Sequence, residues 1–585
     1  MIKNYPYFFK IQKKLSHFLE YLKYYVIKSN LFILFLSTAF FMRNYAQGQG
    51  IANTFPLSNA SQKENLNDNF SDKVWAKIFP PKDMGLFKKK VLAEQFHNQL
   101  EKKKFKAADE AVILAGLAAL HAQDPDSKYA ALPLLQSAFE KYPELRRDKE
   151  IEKVWRTFRY NFLGKIASDE IILMQTAALL TGTNLESGED SAFPFFKGQW
   201  LQGQNKFKES LAYMRKVPLS SPDYRRAKFA EALAHIQLNS VEDAYEALQV
   251  VVSLDATAAE NSSTISSKSV QRLRELGVLT TARLLYEQGQ FLESIAYYRT
   301  LAQDSFFFYE SLHEQGWAYF MAGFPNRALG AEYAAQSPFF SEKFNPDSYF
   351  LNATLNYWLC EFEGANNSLT RFVAHTRNEG DLLTGVVRRY NSFAADESVN
   401  RYSKLIEDSL RGVSARNLGL GPKTLATLMA HSPLTDSFQA LNAMTQMRTK
   451  VSQKTFYTTG KERLIKALGE AESIQRKALG AQVKLQLTIM ASEFEKTLTQ
   501  AKLLYLEILT ARKDSLLGKD RSVRGQEFVG EEKNFDEFMG STRSQQSWAQ
   551  DKKEFWYDEL GSYVYNLKSK CGGAGVSEQN SGLKK

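Results

Sequence analysis

The sequence is poor in the residues from which active sites are built. It has two cysteines, Cys360 and Cys571, and seven histidines in 585 residues. His17, His97, His121, His235, His313, His375 and His431 are scattered. No two stand at i, i+4, and none pairs with a cysteine at the spacing of a zinc site. There is no Gly-x4-Gly-Lys phosphate loop, no Gly-x-Ser-x-Gly elbow and no His-Glu-x-x-His helix. Carboxylate pairs such as Glu493/Glu495 and Glu531/Glu532 read as solvated charges. Nothing here argues for a cofactor, a metal or a catalytic residue, and a non-enzymatic protein is expected.

Long apolar runs are missing too. The longest stretch of note, residues 31–41 (LFILFLSTAFF), is well short of the roughly 20 residues a spanning helix needs. Glycine and proline are modest at 32 and 15 residues, and alternating β-branched runs are absent, which favours an all-helical chain. The 44% hydrophobic and 13% aromatic content belongs to a folded protein. The formal charge of +10 is concentrated at one end. Residues 1–46 hold seven Lys/Arg against Glu20 alone, so the remainder is nearly neutral. No compact basic patch interleaves with aromatics, which argues against nucleic-acid binding.

The basic lead, the short apolar core and the polar Gln47-Gly48-Gln49 match a secretory signal sequence over residues 1–46. Cleavage after Ala46 fits, although Asn44 is a poor residue at the −3 position. The lead is long, and a start site downstream of Met1 would shorten it. The alternatives are an uncleaved inner-membrane anchor at residues 25–41 and a buried cytosolic helix. Residues 47–73 then read as a polar, flexible linker.

The organising pattern lies between residues 195 and 373. A small residue, a turn residue seven positions on and another small residue five further recur as Gly198/Asn205/Ser210, Ala232/Asn239/Ala244, Ala282/Gly289/Ser294, Gly316/Gly323/Ala328 and Ala353/Cys360/Ala365. Small residues let two helices of a hairpin approach closely, and large apolar residues such as Leu201, Met214, Tyr298 and Phe372 fill the space around them. His235 occupies a core position of the second unit and reads as a satisfied core histidine. Two of the four gaps between turn positions are about 34 residues, and the array resembles tetratricopeptide repeats, two antiparallel helices per unit. A longer second gap places an insertion at residues 255–268.

Around that array (191–377), residues 74–190 read as further hairpins with weaker spacing, over 87–100, 107–121, 129–142, 151–162 and 166–180. Residues 378–381 read as a polar break, after which 378–570 form a C-terminal helical region. There Leu479, Val483, Leu487, Met490, Phe494, Leu498, Ala501, Tyr505 and Ile508 make one stripe of period 3.6, a long helix starting near Lys461. It either packs on the array and on a partner at 437–451, or self-associates as a coiled coil. Residues 551–571 read as a last aromatic helix, and 571–585 as a disordered tail.

Two features remain. In an exported chain an even cysteine count permits a disulfide; Cys360–Cys571 would pin the C-terminal segment onto the array, the alternative being a buried Cys360 and a free Cys571. The aromatics Phe306, Phe307, Tyr309, Phe339 and Phe340 bracket the fourth unit. They serve either repeat packing or a groove for a partner's helix or peptide.

Short segments carry a narrower resemblance: Ser337-Pro338-Phe339-Phe340, Asn345-Pro346-Asp347, Tyr357-Trp358-Leu359-Cys360, and Phe555-Trp556-Tyr557-Asp558-Glu559-Leu560 with Cys571. They are similar to exported tetratricopeptide proteins of gliding and predatory bacteria, including adventurous gliding motility components. That resemblance implies a periplasmic or outer-membrane-associated scaffold that binds other envelope proteins. The rival expectations are an envelope enzyme or enzyme-associated module with its site in 380–570, and a coiled-coil oligomer built on 461–509.

Overall fold

The computed structural model describes residues 68–163, 169–183, 185, 190–254, 267–430, 432–453, 458–517, 546–547 and 555–571. Among them 21 helices account for 78% of the structure. The fold is all-α and solenoid-like, the class that the composition favours. The one extended pairing among the described residues is a two-residue parallel bridge, Gln546–Ser547 against Tyr563–Val564.

Five helical hairpins form the array, each with a first helix (A) and a second (B). They are Ala192–Gly203/Phe207–Met214, Tyr224–Gln237/Val241–Ser253, Ser267–Glu287/Phe291–Arg299, Phe308–Met321/Pro325–Ala335 and Pro346–Trp358/Phe362–Asn391. Each B helix packs on the A helix of the next unit. The five turn residues read from the sequence all have left-handed backbone: φ is 59° at Asn205, 60° at Asn239, 77° at Gly289, 89° at Gly323 and 55° at Cys360. Each closes its A helix with the same two bonds, one from its own N–H to the residue three back. The other runs from the next N–H to the residue five before it, as in Lys206 N→Leu201 O at 2.9 Å and Glu361 N→Asn356 O at 2.9 Å. That is a Schellman closure, which satisfies the orphan carbonyls and reverses the chain in two residues. The small pairs also bond across the hairpin: Ser210 Oγ donates to Gly198 O (2.8 Å) and Ser294 Oγ to Ala282 O (2.7 Å).

The long amphipathic helix runs over Lys461–Leu516, 56 residues, or about 84 Å at 1.5 Å per residue. It belongs to two cores. Leu464, Ala467, Leu468 and Ala471 are buried with Trp155, Phe193 and Val112 of the N-terminal region. Leu479, Val483, Leu487 and Phe494 are buried with Leu351 and Leu383 of the fifth unit and with Tyr402 of helix Ala395–Leu410. Its hairpin partner is Ser432–Gln453, whose Met444 and Leu441 join the first and second core respectively. The stripe thus packs inside the chain along most of its length.

Several boundaries differ from the sequence reading. The linker ends earlier than residue 73: helix Asp68–Ile78 is already formed, because Ser71 and Trp75 both donate to Asp148 at 3.1 and 2.9 Å. The helix read over 129–142 begins at Ala131, with Pro133 in its first turn, where its missing N–H is one the helix leaves unused. There is no break at 378–381, since helix Phe362–Asn391 runs straight through. The polar residues there have tertiary roles instead. Glu379 accepts from Thr424 N and Oγ1 at 3.0 Å each, and Gly380 makes room for the Phe494 ring. Of the aromatic helix expected at 551–571, the described residues 555–571 form an extended strap with one 3-10 turn, Tyr557–Glu559. Its inward residues alternate (Tyr563, Tyr565, Leu567), and Gly561 turns the chain at φ 88°. The signal or anchor segment, most of the 255–268 insertion and the 572–585 tail lie outside the described residues.

Candidate interaction surface

Where a hairpin array could offer a face to partners, this chain covers much of it with its own elements. Glu493 and Lys496 of the long helix lie close to Arg283, His313 and Asp347, one from the A helix of each of units three, four and five. The groups beneath are closely paired. Arg283 forks onto Glu314, with Nε–Oε2 at 2.7 Å and a second, shorter bond, and Tyr298 OH donates to the same carboxylate at 3.0 Å. His313 sits between two carboxylates, Nδ1 at 2.9 Å from Glu332 Oε1 and Nε2 at 3.1 Å from Asp347 Oδ2. Facing two ionised carboxylates, the ring donates from both nitrogens, which makes His313 an imidazolium. Burial alone would lower its pKa, but the Glu332 and Asp347 charges outweigh it and hold the ring well above the ordinary histidine value. With both nitrogens committed, the ring is placed as a structural cation rather than a free base.

Burial, reinforced by the Asp347 charge, pushes the Glu493 carboxyl from 4.5 up to about 8, and its Oε1 has no hydrogen-bond partner. A carboxyl raised in the fold favours folding fully below pH 4.5 and loses that contribution as the pH climbs through about 8. Glu493→Gln, which cannot ionise, should therefore gain on the wild type by about 1–3 kcal/mol between pH 5 and 8. Urea midpoints across that range would read it, and parallel curves would refute it.

At the other end of the long helix two of the scattered histidines, His97 and His121, meet. Arg463 can only donate, so it fixes a directional chain: to His97 Nδ1 (3.0 Å), from His97 Nε2 to His121 Nε2 (3.0 Å), and from His121 Nδ1 to Ser127 Oγ (2.8 Å). It ends from Ser127 Oγ to Asp124 Oδ2 (3.0 Å). Every link requires a neutral ring. Burial, then the cost of adding a second positive charge beside His121 and Arg463, lower His97 to about 2, and burial lowers His121 to about 4. Depressed histidines favour folding above about pH 6.5 and lose that contribution as the pH falls toward their folded values. Acid should therefore loosen the junction between Leu86–Lys102 and the start of the long helix first. Faster amide exchange there at pH 5 than at pH 7, after correction for intrinsic rates, would show it; equal protection would count against it.

The strap, Phe555–Cys571, lies across units three to five. Gln303 Nε2 holds the carbonyls of Asp558 and Leu560 at 3.1 Å each. Leu560 and Tyr563 are buried with Phe308, Leu312, Ala334 and Ala335, and Tyr333 stacks on Phe555 with centroids 4.5 Å apart. Gly330 is glycine for a local reason: a Cβ there would overlap the Tyr563 carbonyl. Asn326 reads the backbone, accepting from Tyr565 N (3.1 Å) on its carbonyl and clamping Leu567 N (3.0 Å) and O (3.1 Å) with its amide. Lys570 N reaches Leu359 O at 2.9 Å. Cys571 then forms a disulfide with Cys360, Cα atoms 5.1 Å apart. Cys360 stands at a left-handed position that costs a non-glycine residue about 1 kcal/mol, and the bridge accounts for cysteine at that turn. A cavity of about 20 Å³, room for one water, lies under the strap between Gln315, Tyr319, Arg327 and Gly561.

The aromatics singled out by the sequence divide. Phe340 packs on Tyr309 at 4.9 Å and Phe339 meets the strap's Tyr557 edge-on at 5.4 Å. Phe306 and Phe307 contact each other at 5.1 Å, with the Arg272 guanidinium 3.7 Å over the Phe306 ring. His235 is buried beside Glu231 and Asp243. Sequence reasoning missed Asn326, Gly330, Tyr333 and Gln303, whose roles depend on a segment more than 200 residues away. One further surface stands open: Leu503, Leu506 and Leu509 on the last turns of the long helix are 52%, 59% and 45% exposed.

Among the described residues no helix is long and apolar enough to cross a membrane. No protein-family model matches the chain, and a search of curated proteins finds no match to it.

Proposed function

We propose that the chain is a non-enzymatic scaffold of the bacterial cell envelope, of tetratricopeptide type, which binds extended segments of other envelope proteins. One observation carries the reading. The array already holds a foreign-looking extended segment, the strap, through backbone bonds at Asn326, Gln303 and Leu359 and through packing of the alternate side chains Tyr563, Tyr565 and Leu567. That is how helical and sheet surfaces recognise peptides without fixing every residue. The disulfide suits an oxidising compartment, and the basic, apolar leader suits export to the periplasm or attachment at the inner membrane by residues 25–41. The exposed leucines at 503, 506 and 509 favour a second reading, self-association through the end of the long helix, which mass in solution against concentration would test.

The test of the scaffold is photo-crosslinking in cells from a probe amino acid at Phe339 or Leu506, followed by fractionation. Reproducible adducts to envelope proteins from the periplasmic and membrane fractions are expected. A chain recovered reduced from the cytosol, crosslinked to nothing beyond itself, would sink the proposal.

A further inference from the structure

We infer that the Cys360–Cys571 disulfide is a redox latch on a peptide-docking edge, and that its opening exchanges the chain's own strap for an extended segment of a partner. The inference rests on the scaffold reading and assigns its regulation.

The strap is anchored unevenly. Its buried side chains are Leu560, Tyr563 and Cys571. Between Tyr563 and the disulfide, residues 564–570 are half-buried or exposed; Tyr565 and Leu567 rest on the edge of the second core, and backbone bonds run to the Asn326 carbonyl, the Asn326 amide and the Leu359 carbonyl. Lys570 adds an ion pair with Glu361 at 2.8 Å, its own side chain 67% exposed. An exposed pair of that kind contributes little. Once the bridge is gone, the last buried anchor of this half of the strap goes with it. Leu560 and Tyr563 still hold the first half, so the strap peels from its C-terminal end and leaves the array intact.

What peeling bares is a reader of backbone. Asn326 offers one carbonyl and a side-chain amide that mimics a neighbouring strand, and the Leu359 carbonyl takes a third N–H further along. Tyr333 lies edge-on to Tyr565 at 6.0 Å. The segment that fits is extended, with an aromatic residue, any residue, then an aliphatic one, as in Tyr565-Asn566-Leu567, and a basic residue three positions later for Glu361. The strap's own first half, held at Leu560 and Tyr563, keeps the rest at a local concentration of about a millimolar. A latched or tethered strap therefore outcompetes weak ligands, and the partner must be locally concentrated or bivalent.

The chemistry is thiol–disulfide exchange with a dithiol reductant. Its thiolate attacks the sulfur of Cys360, the more exposed of the two, forming a mixed disulfide and releasing Cys571 as thiolate. The second thiol of the reductant then displaces Cys360, and the reductant leaves as a disulfide, two electrons having reduced the bridge.

Two measurements on the full chain test this. In amide exchange of oxidised against dithiol-reduced protein, Tyr565, Leu567 and Lys570 should lose at least tenfold in protection. Helix Phe308–Met321 should stay protected over the same minutes. Unchanged strap protection, or collapse of the helix as well, would overturn the latch. Second, a fluorescein-labelled peptide of residues 561–570 should bind the full-length Tyr563→Ala/Cys360→Ser/Cys571→Ser chain at least tenfold more tightly than the oxidised wild type. Equal binding to both, or none to either, would overturn the docking edge. The envelope crosslinks at Phe339 and Leu506 are read independently, so the latch can fail while the scaffold stands.

Discussion

Gly480→Ala is expected to destabilise the protein by about 3 kcal/mol or more. Helix propensity alone forecasts the opposite sign, because alanine in a helix interior is better than glycine by about 1 kcal/mol. The reversal comes from a crossing. Helix Ala395–Leu410 passes so close to the long helix that a Cβ on Gly480 would overlap the carbonyl oxygen of Val399. A flexible side chain could swing aside; a backbone carbonyl inside a helix cannot, so one helix must shift and unseat its neighbours. Leu479 and Val483, which flank the crossing and have no accessible surface, would lose contacts together. Urea denaturation with both variants at one pH decides it, and a variant as stable as the wild type would show that the two helices are not held at this distance. Gly469, in the same helix, makes the control: a Cβ there would meet only the Arg448 guanidinium at 3.6 Å, so Gly469→Ala should be neutral or stabilising.

The second large effect is expected at the buried ion cluster of the fourth unit. Glu332 has no accessible surface and receives bonds from His313 and from Ser348. Glu332→Leu would leave the His313 cation facing a leucine and the Ser348 hydroxyl without its acceptor. Breaking a buried pair from one side costs about 3–5 kcal/mol. The double variant His313→Leu/Glu332→Leu removes both charges, and its cost should fall short of the sum of the two single changes by about 1–3 kcal/mol. Asp347 limits the recovery, since it would keep Trp317 as donor at 2.7 Å but lose His313. A double-mutant cycle measures this directly, and strict additivity would mean the cluster is no more than three side chains that happen to be near.

The repeat hairpins were legible because their signal is local. A left-handed turn residue flanked at fixed distance by small residues is dictated by the geometry of a single hairpin, so positions 205, 239, 289, 323 and 360 could be read without knowing what packs around them. The stripe of the long helix was legible for the same reason, although its register drifts: Leu504 is buried where the stripe anticipated Tyr505, which is 44% exposed. What failed depended on distant partners. Residues 378–381 look like a break until Thr424 and Phe494 are seen to require Glu379 and Gly380. The strap looks helical by its density of aromatics, yet its period of two emerges only against Asn326 and Gly330. Cysteine pairing stood between these cases, since two cysteines leave a single intramolecular pairing, Cys360 with Cys571.

The long helix has a consequence for how the protein is made. The region beginning at Val74 cannot complete its core until Leu464 and Leu468 arrive. At a translation rate of about 5–20 residues per second, that is a wait of roughly 20 to 80 s. During it, the faces of Lys128–Ala130 and Ala131–Lys141 on which the long helix packs stand uncovered. Closure of the two large cores is thus a late event in the making of the chain, whereas the smaller cluster around Phe229 and Leu248 needs nothing from the long helix.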